Sequence, residues 1–106
     1  MKIEILYFDG CPNHGAAVQL VDETLKELQL DATVEEVEVK NNEEAVAKRF
    51  LGSPSIRVDG RDLEVEENEH TEYAMRCRVY RHGDTFSGLP DKELLVKALR
   101  QAASVH

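Results

Sequence analysis

The sequence predicts a single α/β domain in which a four-stranded mixed sheet is flanked by helices. Strand and helix patterns alternate as strand, helix, strand, helix over the first part of the chain, which favours parallel strands joined by crossovers. A strand, a two-residue turn and another strand then precede a last helix. The predicted order is therefore βαβα-ββ-α, and 106 residues suit one domain over residues 1–106.

Three helices are predicted, two of them from long runs of apolar residues at helical spacing. The first covers about residues 12–28, and its buried face is Val18, Val21, Leu25 and Leu28. The last starts at Pro90, and its buried face is Leu94, Leu95, Ala98, Leu99 and Ala102. A shorter helix over about residues 42–51 has Asn41 at its N-cap and Gly52 to end it in the left-handed conformation. Its expected buried residues are Val46 and Phe50.

Four strands are predicted from the remaining apolar patterns. Residues 2–8 are almost continuously apolar, as in a strand buried on both faces. Residues 33–39 alternate more weakly, which is typical of a more exposed strand. Asp59-Gly60 is a strong signal for a two-residue hairpin, so residues 55–59 and 61–65 are expected to pair antiparallel.

An inserted loop is predicted before the last helix, at about residues 66–86. Its first part, residues 66–72, is polar and is expected to be a solvated loop. Residues 73–81 are compatible with either a short strand or an ordered loop.

The charge of the chain argues against some classes of partner. Lys and Arg number 13 and Asp and Glu number 21, which gives a formal net charge of −8. No basic face stands out, so we expect neither nucleic acid nor an anionic membrane as a partner. No apolar run is long enough to span a bilayer, and Glu4 interrupts what would be the apolar part of a signal peptide. We therefore expect a cytoplasmic protein, in which the two cysteines are reactive or bind metal.

The residues with chemical potential are concentrated between the first strand and the first helix, in Tyr7-Phe8-Asp9-Gly10-Cys11-Pro12-Asn13-His14-Gly15. This junction puts Cys11 at the N-terminal end of a helix, where unpaired N–H groups and the helix dipole favour an anion such as a thiolate. Pro12 suits the first helical position, whose N–H would be unpaired anyway. A cysteine at such a junction can also be a packed small side chain without chemistry, so both interpretations stay open.

Three segments of the chain look like those of small bacterial thioredoxin-like proteins. They are Tyr-Phe-Asp-Gly-Cys-Pro-Asn-His, Gly-Ser-Pro-Ser-Ile-Arg-Val-Asp-Gly-Arg-Asp and Cys-Arg-Val-Tyr-Arg. Such proteins are often labelled as a thioredoxin-like (seleno)protein family or, loosely, as alkylmercury lyase. The order of elements also resembles the thioredoxin fold over almost the whole chain, apart from the insertion at about residues 66–86.

The thioredoxin resemblance implies a cis peptide bond before Pro54, with this proline lying against the sulfur of Cys11. It also implies that Cys11 is the attacking nucleophile, and it makes Pro12, Ser53 and Pro54 candidates for substrate binding. The chain departs from the dithiol pattern at His14, where a dithiol enzyme has its second cysteine. Disulfide exchange within a single Cys-x-x-Cys motif is therefore impossible here.

The first functional hypothesis is a thiol–disulfide oxidoreductase. Cys11 would attack a disulfide as a thiolate, and a second thiol would resolve the mixed intermediate. His14 lies one helical turn further on, near enough to stabilise the thiolate or move a proton. The resolving thiol would be external or Cys77, which follows the fourth strand and can return to the same end of the sheet. The expected partner is a thiol- or disulfide-bearing protein or a small thiol, with no cofactor.

Two other classes of protein fit the same residues. A soft-metal or organomercurial thiol-binding protein would use Cys11 and Cys77 as thiolate ligands, and a lyase would add Asp9 or His14 as proton donor. Structural zinc is not expected, because the chain lacks the paired Cys or His motifs of such sites. A non-catalytic thioredoxin-like module would explain the missing second cysteine without further assumption. The reactivity of Cys11 separates this module from the other two classes.

Overall fold

The fold was obtained as a computed structural model that describes residues 1–50, 52–63, 80–82 and 85–104. Its elements are β1 (Lys2–Tyr7), α1 (His14–Leu28), β2 (Thr33–Glu38), α2 (Asn42–Ala47), β3 (Ser55–Val58), β4 (Arg61–Asp62), β5 (Tyr80–His82), β6 (Thr85–Ser87) and α3 (Lys92–Ser104). The predicted α/β class and the order βαβα-ββ-α are confirmed, with a further pair of short strands before the last helix.

Strand β1 lies inside a four-stranded mixed sheet with the order β2-β1-β3-β4. Strand β2 runs parallel to β1, whereas β3 is antiparallel to β1 and β4 is antiparallel to β3. Asp59 and Gly60 join β3 to β4 with φ values of 49° and 84°, as a type I′ hairpin turn requires. The predicted hairpin is therefore confirmed.

Two apolar clusters cover the sheet, and β1 contributes to both. One cluster joins β1 and β3 to α1 and α3, and it contains Ile3, Ile5, Ala17, Val21, Leu25, Ile56, Val58, Leu95 and Leu99. The other surrounds α2 and contains Leu6, Val39, Ala45 and Phe50. Because side chains alternate along a strand, Ile3 and Ile5 face the first cluster and Leu6 faces the second.

Helix α1 begins at His14, later than predicted. Asn13 is its N-cap residue, and the Ala17 N–H donates to the Asn13 carbonyl at 3.0 Å. The preceding residues form a separate turn, in which the His14 N–H donates to the Cys11 carbonyl at 3.4 Å. Pro12 is therefore in this turn and not at the first helical position, and Cys11 precedes the N-cap.

Helix α2 has the predicted N-cap but a different buried face. The Asn41 Oδ1 atom accepts a hydrogen bond from the Glu44 N–H at 2.8 Å. Phe50 is buried as predicted, but Val46 is 59% exposed and that prediction is wrong. Ala45 takes the buried position instead, because the helix turns this residue toward Leu6 and Phe50.

The C-terminal end of α2 is closed by Arg49 and not by Gly52. Arg49 has a left-handed backbone with φ of 55°. The Phe50 N–H donates across the helix end to the Ala45 carbonyl at 2.8 Å, as in a Schellman motif. Helix α2 therefore ends before the predicted residue 51, and Gly52, with φ of 125°, lies beyond the cap.

In chain order, β5 and β6 follow the main sheet and precede α3, and they form a separate two-stranded sheet. The strands are antiparallel, with Tyr80 opposite Ser87. Tyr80 is thus in a strand, one of the two alternatives for residues 73–81, and β6 was not predicted. The predicted loop at residues 66–72 and residues 73–79 of the strand or loop predicted at 73–81 lie outside the described residues.

Helix α3 begins at Lys92, shortly after Pro90, and it presents the predicted apolar face. Leu95 and Leu99 are fully buried, and the other members of that face are partly buried, namely Leu94, Ala98 and Ala102. None of the helices in the described ranges is both long enough and apolar enough to cross a membrane.

Arg57 of β3 binds the end of α2, and its loss should destabilise the fold. Its Nη2 atom donates to the Lys48 carbonyl at 2.5 Å and to the Arg49 carbonyl at 2.9 Å, and carbonyls at a helix end need such partners. We expect Arg57→Met to lower the free energy of unfolding in urea by about 1–2 kcal/mol, because it keeps the aliphatic stem and removes the donors. The matched control Arg61→Met, at an exposed position of β4, should change it by less than about 0.5 kcal/mol. Equal losses in both variants would contradict the capping role.

Candidate functional site

The carboxyl end of β1 leads into a tight turn that carries Cys11. The Cys11 N–H donates to the Phe8 carbonyl at 3.2 Å, and Gly10 has φ of 89°. A type II turn requires a positive φ at this third position, which glycine adopts without strain. Cys11 is a free cysteine and is partly exposed. The turn therefore holds a free, partly exposed cysteine at one end of the sheet.

The Ser53-Pro54 peptide at the start of β3 lies at the same end of the sheet. This peptide bond is cis, as the thioredoxin resemblance implies. Strands β1 and β3 pair with Leu6 opposite Ser55. When the antiparallel pairing is extended beyond this pair, Ser53 and Pro54 lie alongside the residues that follow Leu6. The turn to Cys11 begins at those residues. Strand pairing thus brings two of the predicted site segments together.

Ser53 and Pro54 are buried, whereas Pro12 is exposed. The Tyr80 hydroxyl, itself buried, donates to the Pro54 carbonyl at 2.7 Å. Within the described part of the chain the Ser53 Oγ atom has no hydrogen-bond partner, although it is fully buried. Tyr80 is therefore part of the framework of the candidate site. Its only signal in the sequence is an aromatic residue in a predicted short strand or loop.

His14 makes its side-chain contacts with Glu36 and Tyr7. Its Nε2 atom lies 2.6 Å from the Glu36 Oε1 atom. Its ring is stacked on Tyr7, with the ring centroids 3.7 Å apart and the planes inclined by 6°. The His14 side chain is 25% exposed and the Glu36 side chain 48% exposed. Among the described residues no hydrogen bond joins the His14 ring to Cys11, so the role of His14 toward that thiol stays a prediction.

The register of β1 and β2 explains why these three side chains meet. Ile5 lies opposite Glu36 in the parallel pairing, so both side chains project from the same face of the sheet. Tyr7, two residues beyond Ile5, projects from that face too. Helix α1 covers this face, and His14, as its first residue, therefore reaches both Tyr7 and Glu36. Sequence reasoning missed Glu36 because nothing local in β2 indicates which residue lies beside Ile5.

The connection from β6 to α3 packs against the turn that carries Cys11. The Asn13 side chain makes no capping hydrogen bond to α1. It lies instead against Gly88, so closely that a Cβ atom at position 88 would be 2.1 Å from the Asn13 Nδ2 atom. The segment from Tyr80 to Gly88 therefore contacts the site both at the Pro54 carbonyl and at Asn13.

Cys77, the predicted resolving thiol, lies outside the described residues. Within residues 1–50, 52–63, 80–82 and 85–104, no three or more His, Cys, Asp or Glu side chains are grouped so that they could hold a metal ion.

The fold and the site define an α/β domain with a cysteine-bearing turn at the end of its sheet. Residues 13–99 match the family described as Domain of unknown function (DUF2703), and the chain belongs to this family. The matched region includes His14, Ser53-Pro54 and Tyr80, and it starts just after Cys11 and Pro12. Comparison with curated proteins and with solved structures found no match.

The contact between Gly88 and Asn13 predicts a specific loss of stability. We expect Gly88→Ala to lower the free energy of unfolding by about 0.5–1 kcal/mol, because the new methyl group overlaps the flexible Asn13 side chain, which must move aside. In an Asn13→Ala background the same change should cost less, which a double-mutant cycle of urea unfolding measures.

Gly15→Ala is the matched control for this experiment. A Cβ atom at position 15 would have no atom within 4 Å, and Gly15 lies in α1. This variant should be neutral or stabilised by up to about 1 kcal/mol. If Gly88→Ala were as harmless as Gly15→Ala, the close packing of Gly88 on Asn13 would be refuted.

Proposed function

We propose that this protein is a thioredoxin-like thiol–disulfide oxidoreductase with Cys11 as its nucleophile. The observation that carries the proposal is the position of Cys11, which is partly exposed in the turn after β1, at the end of the sheet where the cis Ser53-Pro54 peptide begins β3. The sheet order β2-β1-β3-β4, with β3 antiparallel to β1, supports the thioredoxin-like relationship that the sequence resemblance implies.

The proposed reaction begins when the Cys11 thiolate attacks one sulfur of a substrate disulfide. A new S–S bond forms to Cys11 as the substrate's S–S bond breaks, and the departing sulfur leaves as a thiolate that takes up a proton. An external thiol that attacks the substrate sulfur of this mixed disulfide releases Cys11 as a thiol. If Cys77 attacks instead, it bonds to the Cys11 sulfur and the substrate leaves as a thiol. An external thiol reductant then reduces the intramolecular disulfide. Because His14 occupies the place of a second cysteine in the motif, the resolving thiol comes from Cys77 or from another molecule. The substrate is a disulfide-bearing protein or a small disulfide, and no cofactor takes part.

Cys77 is the proposed internal resolving residue. It precedes Tyr80 by three residues in the sequence, and the Tyr80 hydroxyl is bonded to the Pro54 carbonyl at 2.7 Å. A disulfide with Cys11 would require the two Cα atoms to approach within about 7 Å.

The residues around Cys11 have different parts in this proposal. Pro12 is exposed beside Cys11 and would contact the substrate directly. Ser53 and Pro54 are buried, so their contribution would come from the backbone shape that they impose. His14 would exchange a proton with Cys11. We expect the enzyme in a reducing compartment such as the cytoplasm, which would return Cys11 to its thiol form between turnovers.

The proposal predicts that Cys11→Ser abolishes disulfide exchange and leaves the fold intact. Reduced wild type, Cys11→Ser and the matched variant Cys77→Ser are each treated with glutathione disulfide, and intact mass is followed with time. Wild type and Cys77→Ser should form a mixed disulfide at Cys11, and Cys11→Ser should not. If Cys77 resolves the intermediate, the mixed disulfide accumulates in Cys77→Ser and converts to an intramolecular disulfide in wild type.

Iodoacetamide gives an independent measure of the same thiol. We expect Cys11 in the folded protein to be alkylated at neutral pH about tenfold faster than a cysteine in an unstructured peptide. Equal rates, together with no mixed disulfide, would overturn the proposal. A non-catalytic module for protein contact would then be the better interpretation of the domain.

A further inference from the structure

The His14 ring is held by two contacts that fix different properties of it. The stack on Tyr7, with centroids 3.7 Å apart and planes 6° apart, fixes the plane of the ring. The hydrogen bond of 2.6 Å to the Glu36 Oε1 atom fixes which ring nitrogen lies at the carboxylate. A surface histidine without such contacts samples several rotamers. The contact between His14 and Glu36, which lie 22 residues apart in the sequence, therefore restricts the orientation of the ring.

The chemistry of the Glu36 contact selects one tautomer of the ring. An ionised carboxylate only accepts hydrogen bonds, so the shared proton belongs to the Nε2 atom of His14. In the neutral ring the other nitrogen, Nδ1, is then unprotonated and is the atom that can accept a proton. A nucleophile, a base and a group that orients the base are the usual parts of an activated thiol site.

We propose that Glu36 is a positioning residue that holds His14 as the Nε2–H tautomer, with Nδ1 ready to take the proton of Cys11. The His14 N–H donates to the Cys11 carbonyl at 3.4 Å, so the two residues belong to one turn. The chemical consequence of the inference rests on the function proposed above.

The proton steps balance over the exchange reaction. The Cys11 S–H bond breaks, and its proton goes to the Nδ1 atom of His14. The ring becomes an imidazolium, whose Nε2–H still donates its hydrogen bond to the Glu36 carboxylate. The thiolate then forms its bond to the substrate sulfur, and the other substrate sulfur leaves. The imidazolium returns the proton to that leaving sulfur, which restores the neutral ring for the next turnover.

Glu35 provides a matched control for substitutions at Glu36. It is the preceding residue of β2 and carries the same charge, but it projects from the opposite face and pairs with Lys2 at 3.4 Å. Glu35→Gln therefore changes the net charge by the same amount as Glu36→Gln without touching His14. Glu36→Ala removes the acceptor completely, whereas Glu36→Gln leaves an amide that can either accept or donate.

The first measurement is the tautomer of His14 by side-chain ¹⁵N NMR on the full chain. The chain has four histidines, so the His14 signals are assigned by their loss in His14→Gln. We expect wild type and Glu35→Gln to hold neutral His14 as the Nε2–H form. Glu36→Gln should weaken this preference, and Glu36→Ala should remove it. A wild-type ring with no tautomer preference, or one that is unchanged in Glu36→Ala, would overturn the inference.

The second measurement tests whether Glu36 acts through His14 on Cys11. We expect the alkylation rate of Cys11 to fall roughly tenfold in Glu36→Ala and at least as far in His14→Gln. The double variant should be no slower than His14→Gln alone, because a positioning residue has no effect once its target is gone. Additive losses, or an equal loss in Glu35→Gln, would overturn the positioning role.

The two measurements separate this inference from the proposed function. A Cys11 that is unreactive in wild type, together with a His14 tautomer that depends on Glu36, would overturn the oxidoreductase and keep the Glu36 assignment. A reactive Cys11 with a tautomer that does not respond to Glu36→Ala would keep the oxidoreductase and overturn the Glu36 assignment.

Discussion

Burial of β1 on both faces is the constraint from which the rest of this domain follows. Ile3, Ile5 and Leu6 are each at most 1% exposed, and they project to opposite sides of the sheet. Strands also pair with β1 along both edges. A shift of one residue would turn Glu4 toward the helices of the first cluster and Leu6 away from α2, so the register is strongly specified. The same register specifies where β1 ends and where the turn to Cys11 begins.

The candidate site is a consequence of this register on both sides of β1. Toward β2, the pairing of Ile5 with Glu36 sets a carboxylate on the face covered by α1, where His14 meets it. Toward β3, the pairing of Leu6 with Ser55 brings the cis peptide alongside the start of the turn. The side chains of the site are therefore aligned by packing far from the thiol, and the turn itself needs only a glycine with positive φ and one backbone hydrogen bond.

The parts of the fold that were predictable from the sequence are those set by local rules. The apolar run of β1, the N-cap Asn41 and the turn Asp59-Gly60 each act within a few residues, and the structure has all three. The end of α2 was misjudged because Arg49 adopts the left-handed conformation before glycine is reached, and Schellman hydrogen bonds with the buried Phe50 can offset that strain. The rotation of α2 that buries Ala45 against Leu6 and Phe50 leaves Val46 on the solvent side.

The missed parts of the site all depend on contacts between distant segments. Glu36 becomes relevant only when the parallel register is known, and Tyr80 only when β5 is folded against Pro54. Gly88 does not have a positive φ, so no turn rule requires a glycine at this position. A glycine is favoured there because the Asn13 side chain lies against it. Cys11 and Pro54 were predicted from the strand–helix junction and from the thioredoxin resemblance, whereas Glu36, Tyr80 and Gly88 carry no such local signal.

Histidine at position 14 changes what the start of α1 can contribute to thiol chemistry. A second thiol at that position would attack a mixed disulfide on Cys11, but an imidazole can only move a proton or support a charge. In the proposed reaction the resolving thiol must therefore come from another segment or another molecule. The Tyr80 hydroxyl donates to the Pro54 carbonyl and Gly88 lies against Asn13, whereas Asp9, Gly10 and Pro12 are exposed. The substrate of the proposed reaction would therefore approach over these three exposed residues. Under the proposed function, such a site would react with an incoming sulfur and would rely on a second thiol outside the motif to complete the cycle.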